Sequence, residues 1–215
     1  MINIILLIFL LLVNYTIIFL SYKYFKVNGL FVSLTLLFIM ATIQSTIFID
    51  ILGIPISIGS LVFTTTYIIT GFASIYYKTE VKKLINIGCM VQISLVILME
   101  IIFLFNLSNA EQINNLVNVF GSNSRVVLAS ITASYVARIL QNKVIVKIHN
   151  KSAITISNLI SQFIDTLLFM LIAFVGTMNF NILIASSFVI FVLKYFVTLL
   201  GIPFLNQMKT VMIEG

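Results

Sequence analysis

The sequence is poor in most of what soluble chemistry uses. Only 8% of its 215 residues are charged, against about 25% in an ordinary soluble domain. Its one cysteine, Cys89, stands alone in an apolar run, which leaves neither a disulfide nor a thiolate metal site to argue. Its one histidine, His149, falls in a basic loop. That excludes a Ser–His pair inside the apolar segments, and no His/Cys cluster has metal-ligand spacing. There is no glycine-rich phosphate loop, so the chain is not an ATPase by itself. Two prolines and nine glycines in the whole chain exclude disorder and low complexity. These absences point away from an enzyme and call for no cofactor or metal.

What is present is apolar sequence, 61% of the chain. Runs of about 20 residues recur, each long enough to cross a hydrocarbon core of about 30 Å as a helix. Seven such segments are expected, near 2–22, 29–52, 58–76, 84–105, 124–141, 153–176 and 182–205. The first has no basic leader and no small-residue cleavage site, so it reads as a retained helix. Gly53 and Pro55 are expected to terminate the second. The fold class is an all-α polytopic membrane bundle in a single domain, with 1–28 as an extra helix and loop and 29–208 as the core.

The lysines give the orientation. Connections after the first, third and fifth segments hold Lys23 and Lys26; Lys78, Lys82 and Lys83; and Lys143, Lys147 and Lys151, and the tail holds Lys209. The other connections hold none. Basic loops mark the cytoplasmic side, so the N-terminus is expected outside and the C-terminus inside a bacterial inner (plasma) membrane. The net charge of +6 is thereby explained by the bilayer and not by nucleic acid.

Three basic residues remain. Arg125 and Arg138 are expected to snorkel from opposite ends of the fifth segment. Lys194 cannot, because it lies deep in the seventh. Asp165 and Lys194 are each about 20 Å from the short link between the last two segments, at 1.5 Å per residue, so on antiparallel neighbours they meet near the midplane. A carboxylate at that depth is expensive and by default faces protein or a water-filled cavity. Ser157, Ser161 and Asp165 are spaced by four, as are Asn158, Gln162 and Thr166, which puts one polar stripe on the helix. A structural ion pair and a substrate or proton site both remain open, and the stripe favours the site. Ala129, Ala133 and Ala137 read as a packing stripe. Glu100 is near enough to a helix end to reach the interface.

Several runs resemble a known family. RVVLASITA from Arg125 is similar to a helix start of that family, and SNLISQFIDTLLFMLIAF from Ser157 to its Gln/Asn-x-x-Asp-Thr run. KYFVTLLGIP carries Lys194 and Pro203 at a matching separation, while ILG at 51–53 with Gly59, Phe63 and Tyr77 fits an earlier helix. The chain resembles the queuosine precursor transporters, also called the vitamin uptake transporter family, from about residue 51 to 208. It departs where the family has acids, carrying Gly71 and Gln141, and it carries Arg138 where the family has glutamine. The resemblance implies a six-helix core plus an extra N-terminal helix, and import of preQ0, preQ1 or queuine for tRNA modification.

On that reading Asp165 accepts from a guanine-like base, with Gln162 and Ser161 orienting it. Lys194 is the charge partner or a carbonyl donor, Phe63 and Phe169 are stacking surfaces, and Arg125 shapes the entrance. A homo-oligomer stays open. So do a vitamin-binding component that docks on a separate ATPase and a non-transporting scaffold subunit.

Overall fold

The computed structural model describes residues 2–45, 47–51, 54–103, 124–148, 153–177 and 179–214. The polar loop around Glu111, His149, Lys151 and the side chain of Glu100 lie outside what it describes. The elements are α1 (Ile2–Gln44), β1 (Phe48–Ile51), β2 (Ile54–Ser57), α2 (Ile58–Thr65), α3 (Tyr67–Tyr76), α4 (Val81–Phe103), α5 (Ser124–Lys147), α6 (Ala153–Phe174) and α7 (Phe180–Glu214).

α1 is not one rod. At 43 residues it would run about 65 Å if straight, twice a hydrocarbon core. Lys26 interrupts it with φ 51 and ψ −129, a combination that L side chains avoid. A Cβ on Gly29 would lie 1.9 Å from the carbonyl oxygen of Ser21, although residues eight apart on a continuous helix are about 12 Å apart. The chain therefore doubles back at Lys26, and only glycine fits at 29. The Lys26 ammonium fastens this reversal to the end of α7 through the Val211 carbonyl, 3.1 Å away.

The two limbs of α1 have different neighbours. On the first, Tyr15 donates to the Val197 carbonyl at 2.7 Å and stacks on Phe204 with ring centroids 5.5 Å apart, so this limb docks on α7. On the second, Phe38 meets Phe63 edge to face, and Leu30, Leu34 and Leu37 supply the buried core.

Residues 29–52 do not form one helix. The helix stops at Gln44, and β1 pairs antiparallel with β2 from Phe48↔Ser57 to Ile51↔Ile54. Ser57 Oγ donates to the Ser45 carbonyl at 2.8 Å, which ties the hairpin to the helix end. Isoleucine-rich runs suit a pleated surface, so Pro55 lies inside a strand of a two-stranded ribbon, where both strands are edges and a missing N–H is tolerated. The other elements among the described residues are helices. α5 runs past Gln141 to Lys147 and α7 past Pro203 to Glu214.

Among the described residues five helical stretches are long and apolar enough to cross a membrane: α1, the α2–α3 stretch, α4, α6 and α7. The expected seven is reached only by taking the limbs of α1 separately and adding α5, which is long but diluted by polar residues. The exterior supports a bilayer setting. Ile5, Phe9, Met90 and Phe188 are among the most exposed side chains, while an aspartate, a lysine and an arginine are buried. In water that distribution would be inverted.

Candidate functional site

α6 and α7 are joined by a short link and pack against each other, which fixes their register. Lys194 Nζ donates to Asp165 Oδ2 at 2.7 Å, with both side chains buried. The pairing expected from depth alone is present. All six residues of the polar stripe, Ser157, Asn158, Ser161, Gln162, Asp165 and Thr166, are buried. One turn before Asp165, Gln162 Nε2 donates to Thr198 Oγ1 at 2.8 Å. Thr198 in turn donates to the Lys194 carbonyl at 3.0 Å. The pair and its first neighbours thus form one α6–α7 unit.

Arg138 does not snorkel. It is 2% exposed. Its guanidinium carbon lies 4.4 Å from the ring centroid of Tyr67, 4.9 Å from Phe38 and 5.2 Å from Phe63. Nη1 donates to the Thr66 carbonyl at 3.4 Å and to Thr70 Oγ1 at 3.1 Å, and Nη2 donates to Thr66 Oγ1 at 2.5 Å. The reason is the length of α5. The helix continues to Lys147, so Arg138 stands about 13 Å from its end, too far for a side chain to reach the interface. Ala129, Ala133 and Ala137 are fully buried and bring the α5 backbone close to its neighbours. The broken α2–α3 stretch supplies the acceptors, since Thr66 N–H bonds Phe63 in the tighter i→i−3 pattern between the two helices. The threonine-rich run 64–66 with Thr70 was the signal in the sequence: a buried row of acceptors calls for a donor.

One turn along α5, Gln141 is satisfied from three sides. Its amide donates to the Tyr67 carbonyl at 2.9 Å and to Asn158 Oδ1, and its oxygen accepts from Thr70 at 2.6 Å. Gly71 completes this contact. A Cβ there would meet Gln141 Nε2 at 2.9 Å and Asn158 Oδ1 at 3.1 Å. The two positions where the resemblance expects acids are therefore neighbours, and α3, α5 and α6 meet between them.

Around Asp165 several buried polar atoms have no hydrogen-bond partner among the described residues: Ser161 Oγ, Gln162 Oε1, Thr166 Oγ1 and Arg138 Nε. Tyr67 and Arg138 both lie within electrostatic reach of Asp165. The Tyr67 hydroxyl faces that carboxylate and interacts with it as a side-chain hydrogen-bond partner. An unpaired buried polar group costs about 1–3 kcal/mol, so a cluster of them demands an explanation. Chemically it offers a pure acceptor at Gln162, a pure donor at Arg138 and hydroxyls that do either.

The remaining expected residues divide. Phe63 is in the cluster, against Arg138. Phe169 stands one turn from Asp165 on the same face, its ring edge-on to Phe174 at 5.9 Å. Arg125 is engaged elsewhere, with Nε donating to the Ile172 carbonyl at 2.5 Å and Nη2 to the Val175 carbonyl at 2.6 Å. It caps the C-terminal end of α6, where a cation is favourable, about 10 Å along the axis from Asp165. A cavity of about 370 Å³ between α1 and α4, lined by Ile39, Ile87, Met90 and Leu98 among others, is apolar and shares no residue with the cluster.

Residues 57–208 match a family described as "Putative vitamin uptake transporter". The chain belongs to that family. Both limbs of α1 and most of the β-hairpin precede the matched region, while the whole charged cluster except Phe38 lies inside it. Among curated relatives of the vitamin uptake transporters, the chain is 24% identical over 216 residues to a "Probable queuosine precursor transporter" of Bacillus subtilis (strain 168), covering 94% of this chain and 93% of that protein. No solved structure matches. Family membership makes this an integral membrane transporter and not an enzyme.

Proposed function

We propose that the protein imports a queuosine precursor of the 7-deazaguanine class for tRNA modification, with the Asp165 cluster as its transport site. The observation that carries this is a buried ion pair flanked by polar atoms that have no partner among the described residues. A lock between two helices needs only the pair. Asp165 accepts from the amino and ring N–H groups of a guanine-like base, Gln162 Oε1 and Ser161 orient it, and Lys194 holds the carboxylate or donates to the base carbonyl. Phe63 and Phe169 flank the ring, and Arg125 fixes the outer end of α6. The relative's name supports the substrate class.

The test is uptake of labelled preQ0, preQ1 and queuine by a bacterial host that lacks its own importer and its own synthesis. Accumulation of at least one is expected. Accumulation of none, from protein shown to be in the membrane, contradicts the reading. The family's description leaves a vitamin as the other substrate class, and co-purification with an ATPase module would favour that.

The membrane arrangement follows from the loop lysines. Seven spans in a bacterial plasma membrane, with the N-terminus outside, put a reporter fused after Gly215 in the cytoplasm and one inserted at Glu111 outside. A reporter that reads the opposite side at either position removes this topology.

A further inference from the structure

Arg138 is a buried cation with no carboxylate of its own among the described residues. Lys194 takes Asp165 at 2.7 Å, and Asp165 is the one buried acid among the described residues. The three ionised side chains of the cluster therefore leave a surplus positive charge, and a guanidinium does not shed its proton in a protein. Two threonines and three aromatic faces solvate Arg138 in part. Its Nε stays buried and without a hydrogen-bond partner among the described residues, with the Tyr67 ring centroid 4.4 Å from the guanidinium carbon. A planar fork of N–H donors beside aromatic walls is suited to a flat ring that carries an electron-rich group.

We infer that Arg138 anchors the transported ligand through an electron-rich substituent, and that the surplus positive charge of the site bars ligands bearing an ammonium group. This rests on the cluster being the transport site. It deepens that reading by choosing within the substrate class. Among 7-deazaguanines alike except at one ring carbon, a nitrile or carboxylate there is accepted and an aminomethyl group is rejected. If Arg138 were only a lock between α5 and α3, it would make the same threonine bonds and be indifferent to the charge of the ligand.

The experiment is a thermal-shift titration of the purified full chain in detergent, wild type beside Arg138→Gln and Arg138→Lys. The probes are the nitrile, carboxylate and aminomethyl 7-deazaguanines, with nicotinate and 3-(aminomethyl)pyridine as a ring pair outside that class. Wild type should favour the nitrile or carboxylate over the aminomethyl compound by about tenfold or more in apparent affinity, since a like charge facing a buried cation costs several times RT. Arg138→Gln should erase that preference. Arg138→Lys should keep the rejection of the amine but weaken binding of the nitrile, and it carries the test if Arg138→Gln does not purify folded.

Should only nicotinate bind, and lose its effect in Arg138→Gln, the deazaguanine assignment fails while the role of Arg138 stands. The role of Arg138 is overturned if wild type prefers the aminomethyl compound, or if neither variant alters the preference. It is overturned equally if no neutral or anionic probe stabilises wild type.

Discussion

Asp165→Asn is expected to abolish uptake and to lower the melting temperature sharply, while the protein still reaches the membrane. The uptake loss follows from removing the acceptor at the centre of the polar stripe. The stability loss follows from the two cations the carboxylate serves. Lys194 is bonded to it at 2.7 Å, and Arg138 lies within its field. Taking one partner out of a buried pair typically costs about 3–5 kcal/mol because the other charge is stranded, and here two cations lose their anion together. Insertion should be unimpaired, since a neutral side chain at mid-membrane is easier to place than a charged one. Membrane-fraction immunoblotting, uptake and melting of the same preparation check all three.

Lys194→Met should also stop uptake, but with a clearly smaller loss of melting temperature than Asp165→Asn. Asp165 would keep Arg138 and the dipole of the Tyr67 hydroxyl nearby, so its charge is not left alone. The cluster would become neutral overall where wild type carries a surplus positive charge. This ordering comes from the position of Arg138 and not from the pair itself. Equal melting losses in the two variants would mean that Arg138 and Asp165 do not sense each other.

The parts of this site legible in the sequence were those set by short-range geometry. A link of a few residues fixes two helices antiparallel, so the depth of Asp165 and of Lys194 could be counted from it. Spacing by four placed Ser157, Ser161 and Asp165 on one face, and all are buried. Arg138 was misplaced because its partners, Thr66 and Thr70, are 72 and 68 residues away, and no local period reports such a contact. The end of α5 is expected too early for a related reason: Asn142 and Lys143 look like a loop, although Gln141 just before them bonds two other helices, α3 and α6. The strands at 48–57 were hidden in an apolar run, where length and hydropathy do not separate strand from helix. The reversal at Lys26 matches the expected loop between the first two segments, although helix continues on both sides of a single residue.

The α3–α5–α6 contact gives the departures from the family a physical form. Gly71 and Gln141 stand in contact where the resemblance expects two acids, and one turn away Arg138 stands where it expects a glutamine. On that comparison the charge differences fall together where α3 and α5 meet, with Gly71 and Gln141 against Asn158, two turns of α6 from Asp165. That concentration within one site is what a change of ligand charge preference would require, whereas scattered surface changes would leave the site as it was.

The central claim, that Asp165 and Lys194 serve transport and do not merely hold helices, is tested most directly by Asp165→Asn combined with Lys194→Met. With neither partner of the pair stranded, the double variant should recover the share of the melting temperature that Asp165→Asn loses through Lys194, leaving only the share due to Arg138, because a buried pair replaced by neutral side chains of similar shape can be nearly neutral in stability. It should nevertheless remain unable to take up the deazaguanine that wild type accumulates, having lost the acceptor. A stable double variant that transports at close to the wild-type rate would contradict the account and leave the pair as a structural lock.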